Sequence, residues 1–287
     1  MNEKDKTNIG LLIQDNKKTW RSYKERAELG RKRGVYLFYI DVNELEPEKI
    51  YDEEKIKCKY WDGKSMIEKF IEFPKVVYDR TRPGLTNKNI ETILETIKEK
   101  NFAFINSPDF RKLCYDKWKT YSLLEKKDIK QPKTKIYSDE NLEEMINNYQ
   151  FVFIKKRNSS QGKNQIIIKN LENRKFRIIL SDYSPSFFQE EDYSFIRRKM
   201  KELEMDDKFI IQEGVKVDRI DERFYDLRVI FQRDGKGKFD MTCFYVRVGA
   251  ISSEQANISK KGHPQDPNLF FEYPFIVKKD VVSFSKK

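Results

Sequence analysis

The sequence predicts an α/β domain followed by an α+β region. Three observations carry that expectation. Near the N-terminus, a short apolar run (9–13), a polar helix-compatible stretch (18–32) and a second apolar run (35–40) repeat the βαβ pattern of a parallel sheet. Further on, apolar strands expected at 151–155, 165–169, 175–181 and 209–212 are interrupted by charged, helix-compatible stretches. Two long alternating segments, 225–232 and 239–248, flank Asp234-Gly235, a dipeptide that favours tight hairpin turns.

The remaining elements follow in chain order. Residues 55–61 alternate, with Ile56, Cys58 and Tyr60 on one face, and Asp62-Gly63 supplies a turn for a small hairpin. Residues 73–79 read as another strand. Thr86 or Asn87 can cap a helix that carries Ile90, Ile93, Leu94 and Ile97 on one face. These pieces make residues 1–110 one α/β domain. A helix is expected over 109–126 and a capped helix from Ser138 to Tyr149. The charged stretch 189–207 is expected to be helical, with Phe195, Met200 and Leu203 as its apolar contacts. From Ser252 onward the chain is polar and irregular, with a short strand expected at 275–277.

Composition excludes several classes. The chain has 287 residues and a net charge of +11, so it is long enough for roughly two domains and suited to an anionic partner. Its 14% aromatic content argues against global disorder. No apolar run reaches the ~20 residues of a membrane span, and the N-terminus shows no secretory h-region. Cys58, Cys114 and Cys243 lie far apart, which disfavours a disulfide framework and fits the reducing cytoplasm. A single histidine, His263, disfavours triad and multi-histidine metal chemistry. Nucleic acid is a weak fit, because the aromatics fall on apolar element faces and not between exposed cations.

Four positions could carry chemistry. Lys117 falls within the apolar stripe of the helix expected over 109–126, formed by Leu113, Cys114, Tyr121 and Leu124. A charge there either meets an anion or snorkels to water. Lys155 ends the strand 151–155 and precedes a loop rich in small and polar residues, 156–164. Such a strand and loop can cover phosphates, or can be an ordinary hairpin. Gln212-Glu213-Gly214 ends a strand and could present backbone groups to a base edge, or could be a plain strand end. Asp226 and Arg228 share a strand face, with Arg247 on the returning strand; these suit phosphate or carboxylate recognition, or a cross-strand ion pair.

The order of these pieces resembles the ATP-grasp proteins, and within them the YheC/YheD family described as endospore-coat-associated. The resemblance rests on FPKVVYDR at 73–80, NSPDF at 106–110, DKW at 116–118, FIK at 153–155 with SQGK at 160–163, IQEG at 211–214, DLR at 226–228, Arg247 and NISKKG at 257–262. The opening IGLL at 9–12 and the Trp61-Asp62-Gly63 block agree with it.

The resemblance implies a pre-ATP-grasp α/β domain at 1–110. An ATP-grasp domain would follow at 111–287, with a mobile subdomain at 135–210 and a partial C-terminal subdomain at 211–287. It implies that Lys117 and Lys155 hold ATP phosphates, that Ser160 and Gly162 belong to the covering loop, and that Gln212 and Glu213 form the adenine hinge. It places Arg228, Arg247 and Asn257 near the phosphates and the acceptor. The implied chemistry is ATP- and Mg²⁺-dependent carboxylate–amine ligation through an acylphosphate. The alternative is an inactive ATP-grasp protein with a structural or interaction role, such as spore coat association. Its partners would be ATP with an unidentified carboxylate or amine, or spore coat proteins.

Two departures stand out. Lys156, Ser159 and Asn164 replace the proline and two glycines usual in the covering loop, and the 25 residues after Gly262 contain no E-x-N metal motif. The expected ATP-grasp domain therefore looks C-terminally shortened, and no metal ligands are assigned.

Overall fold

A computed structural model describes residues 7–14, 20–52, 54–81, 88–159, 165–171, 175–180, 188–217, 219–249 and 263–266. The chain divides into two compact units, Met1–Gln131 and Pro132–Lys287.

The first unit runs β1 (Thr7–Ile13), α1 (Trp20–Arg31), β2 (Val35–Asp41), α2 (Pro47–Tyr51), β3 (Ile56–Trp61), β4 (Met66–Ile71), β5 (Val76–Asp79), α3 (Lys88–Glu99), β6 (Ala103–Ile105), α4 (Pro108–Tyr115) and α5 (Lys117–Glu125). Its six strands form one sheet in the order β4-β3-β2-β1-β5-β6. The pairs β2–β1, β1–β5 and β5–β6 are parallel, as the βαβ pattern predicts, while β3 and β4 join as an antiparallel hairpin. Side chains alternate across the sheet. Leu12, Ile40 and Val77 pack with Ile90, Ile93 and Ile97 of α3 on one face. Leu11, Ile13 and Tyr39 pack with Tyr23 and Ala27 of α1 on the other. Covering both faces explains why β1 and β2 read as continuous apolar runs.

The helix expected over 109–126 is two helices. The periodicity continues through the break, but Asp116 leaves the helical region (φ −87°, ψ 106°), and its carboxylate accepts from the backbone N–H of Trp118 and Lys119. Asp116 thereby ends α4 and caps α5.

The second unit runs β7 (Thr134–Ile136), α6 (Asp139–Asn148), β8 (Phe151–Lys156), β9 (Ile166–Asn170), β10 (Phe176–Leu180), β11 (Phe188–Glu191), α7 (Tyr193–Glu202), β12 (Phe209–Glu213), β13 (Arg219–Ile220), β14 (Arg223–Arg233), β15 (Phe239–Val248) and β16 (His263–Gln265). A six-stranded antiparallel sheet has the order β11-β10-β9-β8-β12-β7. Ser138 caps α6 as expected. One sheet face, with Val152, Ile154, Ile166, Ile168, Ile178 and Ile211, packs on Leu142, Met145 and Ile146 of α6 and on Ile196 and Met200 of α7.

The stretch 189–207 is only partly helical. Residues up to Glu191 pair with β10, and the helix begins after the Asp192 cap. Its fully buried contacts are Ile196 and Met200, with Phe195 and Leu203 at the margin.

A second sheet, β13-β14-β15-β16, has a small core of Val246 and Val248 against Ile220 and Tyr225. Beyond that core the β14–β15 hairpin stands in solvent. Phe231 is 61% and Phe239 is 67% exposed, and the Arg233 guanidinium lies 4.3 Å from the Phe239 ring centroid. These aromatics depart from the expectation that aromatic side chains line apolar faces, because both faces of this ribbon meet water. Among the described residues, no helix is long and apolar enough to cross a membrane. All three cysteines are free thiols.

Candidate functional site

Strand alternation builds the site in the second unit. Val152 and Ile154 of β8 point into the core, so Phe151, Phe153 and Lys155 point the other way. That face lines a cavity of about 800 Å³ together with Lys169, Gln212, Tyr225 and Asp226. The lining also includes Lys216 and Arg219. Among the described lining residues, Lys155, Lys169, Lys216 and Arg219 face two carboxylates, Glu213 and Asp226, so the cavity favours an anion.

Lys155 is held in place. Its Nζ lies 4.5 Å from the Phe153 ring centroid and donates to Gln212 Oε1 at 2.7 Å. Gln212 sits opposite Phe153 on one side and Thr134 on the other. Its Nε2 donates to Thr134 Oγ1 at 3.0 Å. Glu213 accepts the Lys133 backbone N–H on its carboxylate at 2.9 Å, while its own N–H donates to the Lys133 carbonyl at 2.8 Å. Gly214 donates its N–H to the Phe151 carbonyl at 2.8 Å. A Cβ at position 214 would fall 2.0 Å from the Phe151 ring, so only glycine fits beside that ring.

Asp226 and Arg247 are direct cross-strand partners and form a two-pronged pair, with Nε–Oδ1 and Nη2–Oδ2 both 2.6 Å. Of the two sequence readings for this position, the ion pair is present. Arg228 sits opposite Tyr245 and is exposed, outside the residues that line the cavity. Arg219 covers the Phe224 ring at 4.1 Å, and both line the cavity.

Lys117 lies in the first unit at the first position of α5, half-buried. Burial lowers its pKa to about 8, against the opposing pull of Asp116. The desolvation expected from the apolar stripe is present, although the stripe itself is broken at Asp116. A helix N-terminus also disfavours a cation, so two effects act on this ammonium in the same direction. Ser160, Gly162 and Asn257 lie outside the described residues, as does the segment after Asp266.

The cavity suits a nucleotide: cations for phosphates and aromatic rings for a base. Among the described residues, no group of three or more His, Cys, Asp or Glu side chains gathers to hold a metal. Asp226 is already committed to Arg247.

Lys155, Gln212 and Glu213, singled out in sequence, line this cavity; Phe151, Lys169 and Arg219, which also line it, and Thr134 beside Gln212 were not singled out. The alternation in FVFIK, with Val152 and Ile154 inward, was the signal that could have found Phe151.

A helix-backed antiparallel sheet, a second small sheet and a cationic cavity with aromatic walls accord with an ATP-grasp protein. Residues 102–287 match the family described as YheC/D like ATP-grasp, and the chain belongs to that family. It is 25% identical over 259 residues to the endospore coat-associated protein YheD of Bacillus subtilis (strain 168). That match covers 84% of this chain but 53% of YheD, so the chain spans about half the length of this relative. Among solved structures, the RimK domain ATP-grasp protein from Sphaerobacter thermophilus DSM 20745 shares the fold. Its TM-score is 0.50 at 12% identity, covering 88% of this chain and 78% of that one. An N5-carboxyaminoimidazole ribonucleotide synthetase from Thermotoga maritima gives a TM-score of 0.49 at 16% identity, covering 89% of this chain and 59% of that one.

Proposed function

We propose that the cavity of the second unit binds ATP and that the protein is an ATP-dependent carboxylate–amine ligase acting through an acylphosphate. The observation that carries this reading is the Lys155 ammonium, fixed by Gln212 over the Phe153 ring inside a cavity rich in cations. An ammonium already oriented there loses little entropy on meeting a phosphate. Phe151 and Phe153 supply apolar walls for the base, and Gln212 and Glu213 enter as the adenine hinge on the family resemblance. Lys117, as the second phosphate lysine, and Ser160, Gly162, Arg228 and Asn257 enter on the family resemblance. Arg247 is assigned a narrower role, holding Asp226 in the cavity wall. Segments 1–110 and 111–287 are proposed as the pre-ATP-grasp and ATP-grasp portions.

In such a ligase the carboxylate oxygen attacks the γ-phosphorus, ADP leaves, and an amine displaces phosphate from the acylphosphate. The cations here would offset charge on the transferring phosphoryl group. Magnesium is part of the proposed chemistry, with no ligand assigned to it.

The test is ADP release from ATP with Mg²⁺ and mixtures of small carboxylates and amines. Release that requires both acceptors supports ligation. ATP binding without release under every acceptor supports a second reading: a nucleotide-binding scaffold without turnover, located in the cytoplasm or on the spore. That second reading follows from the name of the YheD relative.

A further inference from the structure

Thr134 is 2% exposed on β7, and its neighbours decide how Gln212 must point. A threonine hydroxyl has one hydrogen. Here Thr134 Oγ1 donates it to the Pro132 carbonyl at 3.0 Å, so toward Gln212 this oxygen accepts. Gln212 must then present its NH₂ to Thr134 and its Oε1 to the opposite side, where the Lys155 ammonium, a donor with no acceptor capacity, completes the line. Turning the amide over would set NH₂ against ammonium and oxygen against an oxygen without a hydrogen to give. We propose that Thr134 is a positioning residue. Its buried hydroxyl fixes the rotational state of the Gln212 amide, and through it the place and donor direction of Lys155.

The Gln212 side-chain amide is thereby committed to holding the phosphate lysine. The functional consequence rests on the reading of the cavity as a nucleotide site, whereas the relay itself does not.

The experiment compares Thr134→Val, which keeps the shape and removes the hydroxyl, with Thr134→Ser, which keeps the hydroxyl. The first readout needs no nucleotide: trace acetylation of the whole folded protein, with Lys155 modification measured against exposed Lys208. Releasing Lys155 from Gln212 should speed its acetylation about three- to tenfold in Thr134→Val, the size of one hydrogen bond, and Thr134→Ser should restore the original rate. The second readout is ATP affinity by calorimetry. It should fall by a similar factor in Thr134→Val, with no further fall when that change is added to Gln212→Leu.

Unchanged Lys155 labelling in folded Thr134→Val overturns the relay. An equal loss of ATP affinity in both backgrounds overturns it too, since it marks a merely structural role. Altered labelling while the unmutated protein binds no ATP supports the relay and removes the nucleotide reading. Should Thr134→Val fail to fold, Gln212→Leu alone must raise Lys155 labelling, and an unchanged rate there overturns the proposal.

Discussion

Single residues in this chain carry charge where charge is costly. The Asp79 carboxylate, 2% exposed, accepts from Thr81 N and Oγ1 and pairs with Arg111 of α4. Removing one member strands the other away from water, so Arg111→Met should destabilise the first unit by about 3–5 kcal/mol in urea unfolding. Lys117 gives a pH signature. Its folded pKa is lowered by burial to about 8 from the ordinary 10.5. Between those values the unfolded chain binds a proton that the folded chain does not, so stability should rise with pH across that window. Below about pH 8 the cost of burying the ammonium is fully present. In Lys117→Met the rise should be lost, as read by urea midpoints at pH 8 and pH 10. Lys155 and Gln212 were legible in sequence because a lysine and a polar pair closed apolar strands. Thr134 was not, since a threonine in a strand signals only β-propensity, and its partner is 78 residues away.

Elements were legible where pattern and cap agreed, as in α6 with Ser138 or the apolar strands of the first sheet. They were obscure where a local polar contact overrode periodicity. Asp116 interrupts an otherwise continuous helical pattern, and its carboxylate is nearly buried while capping α5. Asp116→Ala should cost about 1–2 kcal/mol by thermal or urea unfolding. The strand β11 was hidden because its charged residues suit a helix as well as an edge strand. Strands of two or three residues, such as β6, β13 and β16, carry no period to detect. At the end of β12, Gly214 is required by contact with the Phe151 ring, so Gly214→Ala should push that ring and cost about 1–3 kcal/mol. A crystal structure of that variant should show the Phe151 ring displaced; an unmoved ring would remove the packing argument.

For the whole molecule, the division of labour follows from how each sheet is covered. In the first unit helices cover both faces of a largely parallel sheet, and the continuous apolar runs announced this. In the second unit helices cover one face of an antiparallel sheet, which frees the alternate residues to build a cavity. That half of the fold was legible as strands. The cavity was not, because its far wall comes from Tyr225, Asp226 and Arg219, on strands of the other sheet in that unit. The net charge of +11 is consistent with an anionic ligand without locating it. In the proposed function that ligand meets the Lys155 ammonium. Calorimetric titration of ATP into the unmutated protein and into Lys155→Ala tests this most directly. Losing a charge-assisted contact should weaken binding about tenfold or more in the variant. Equal affinity for ATP in the two proteins would contradict the account.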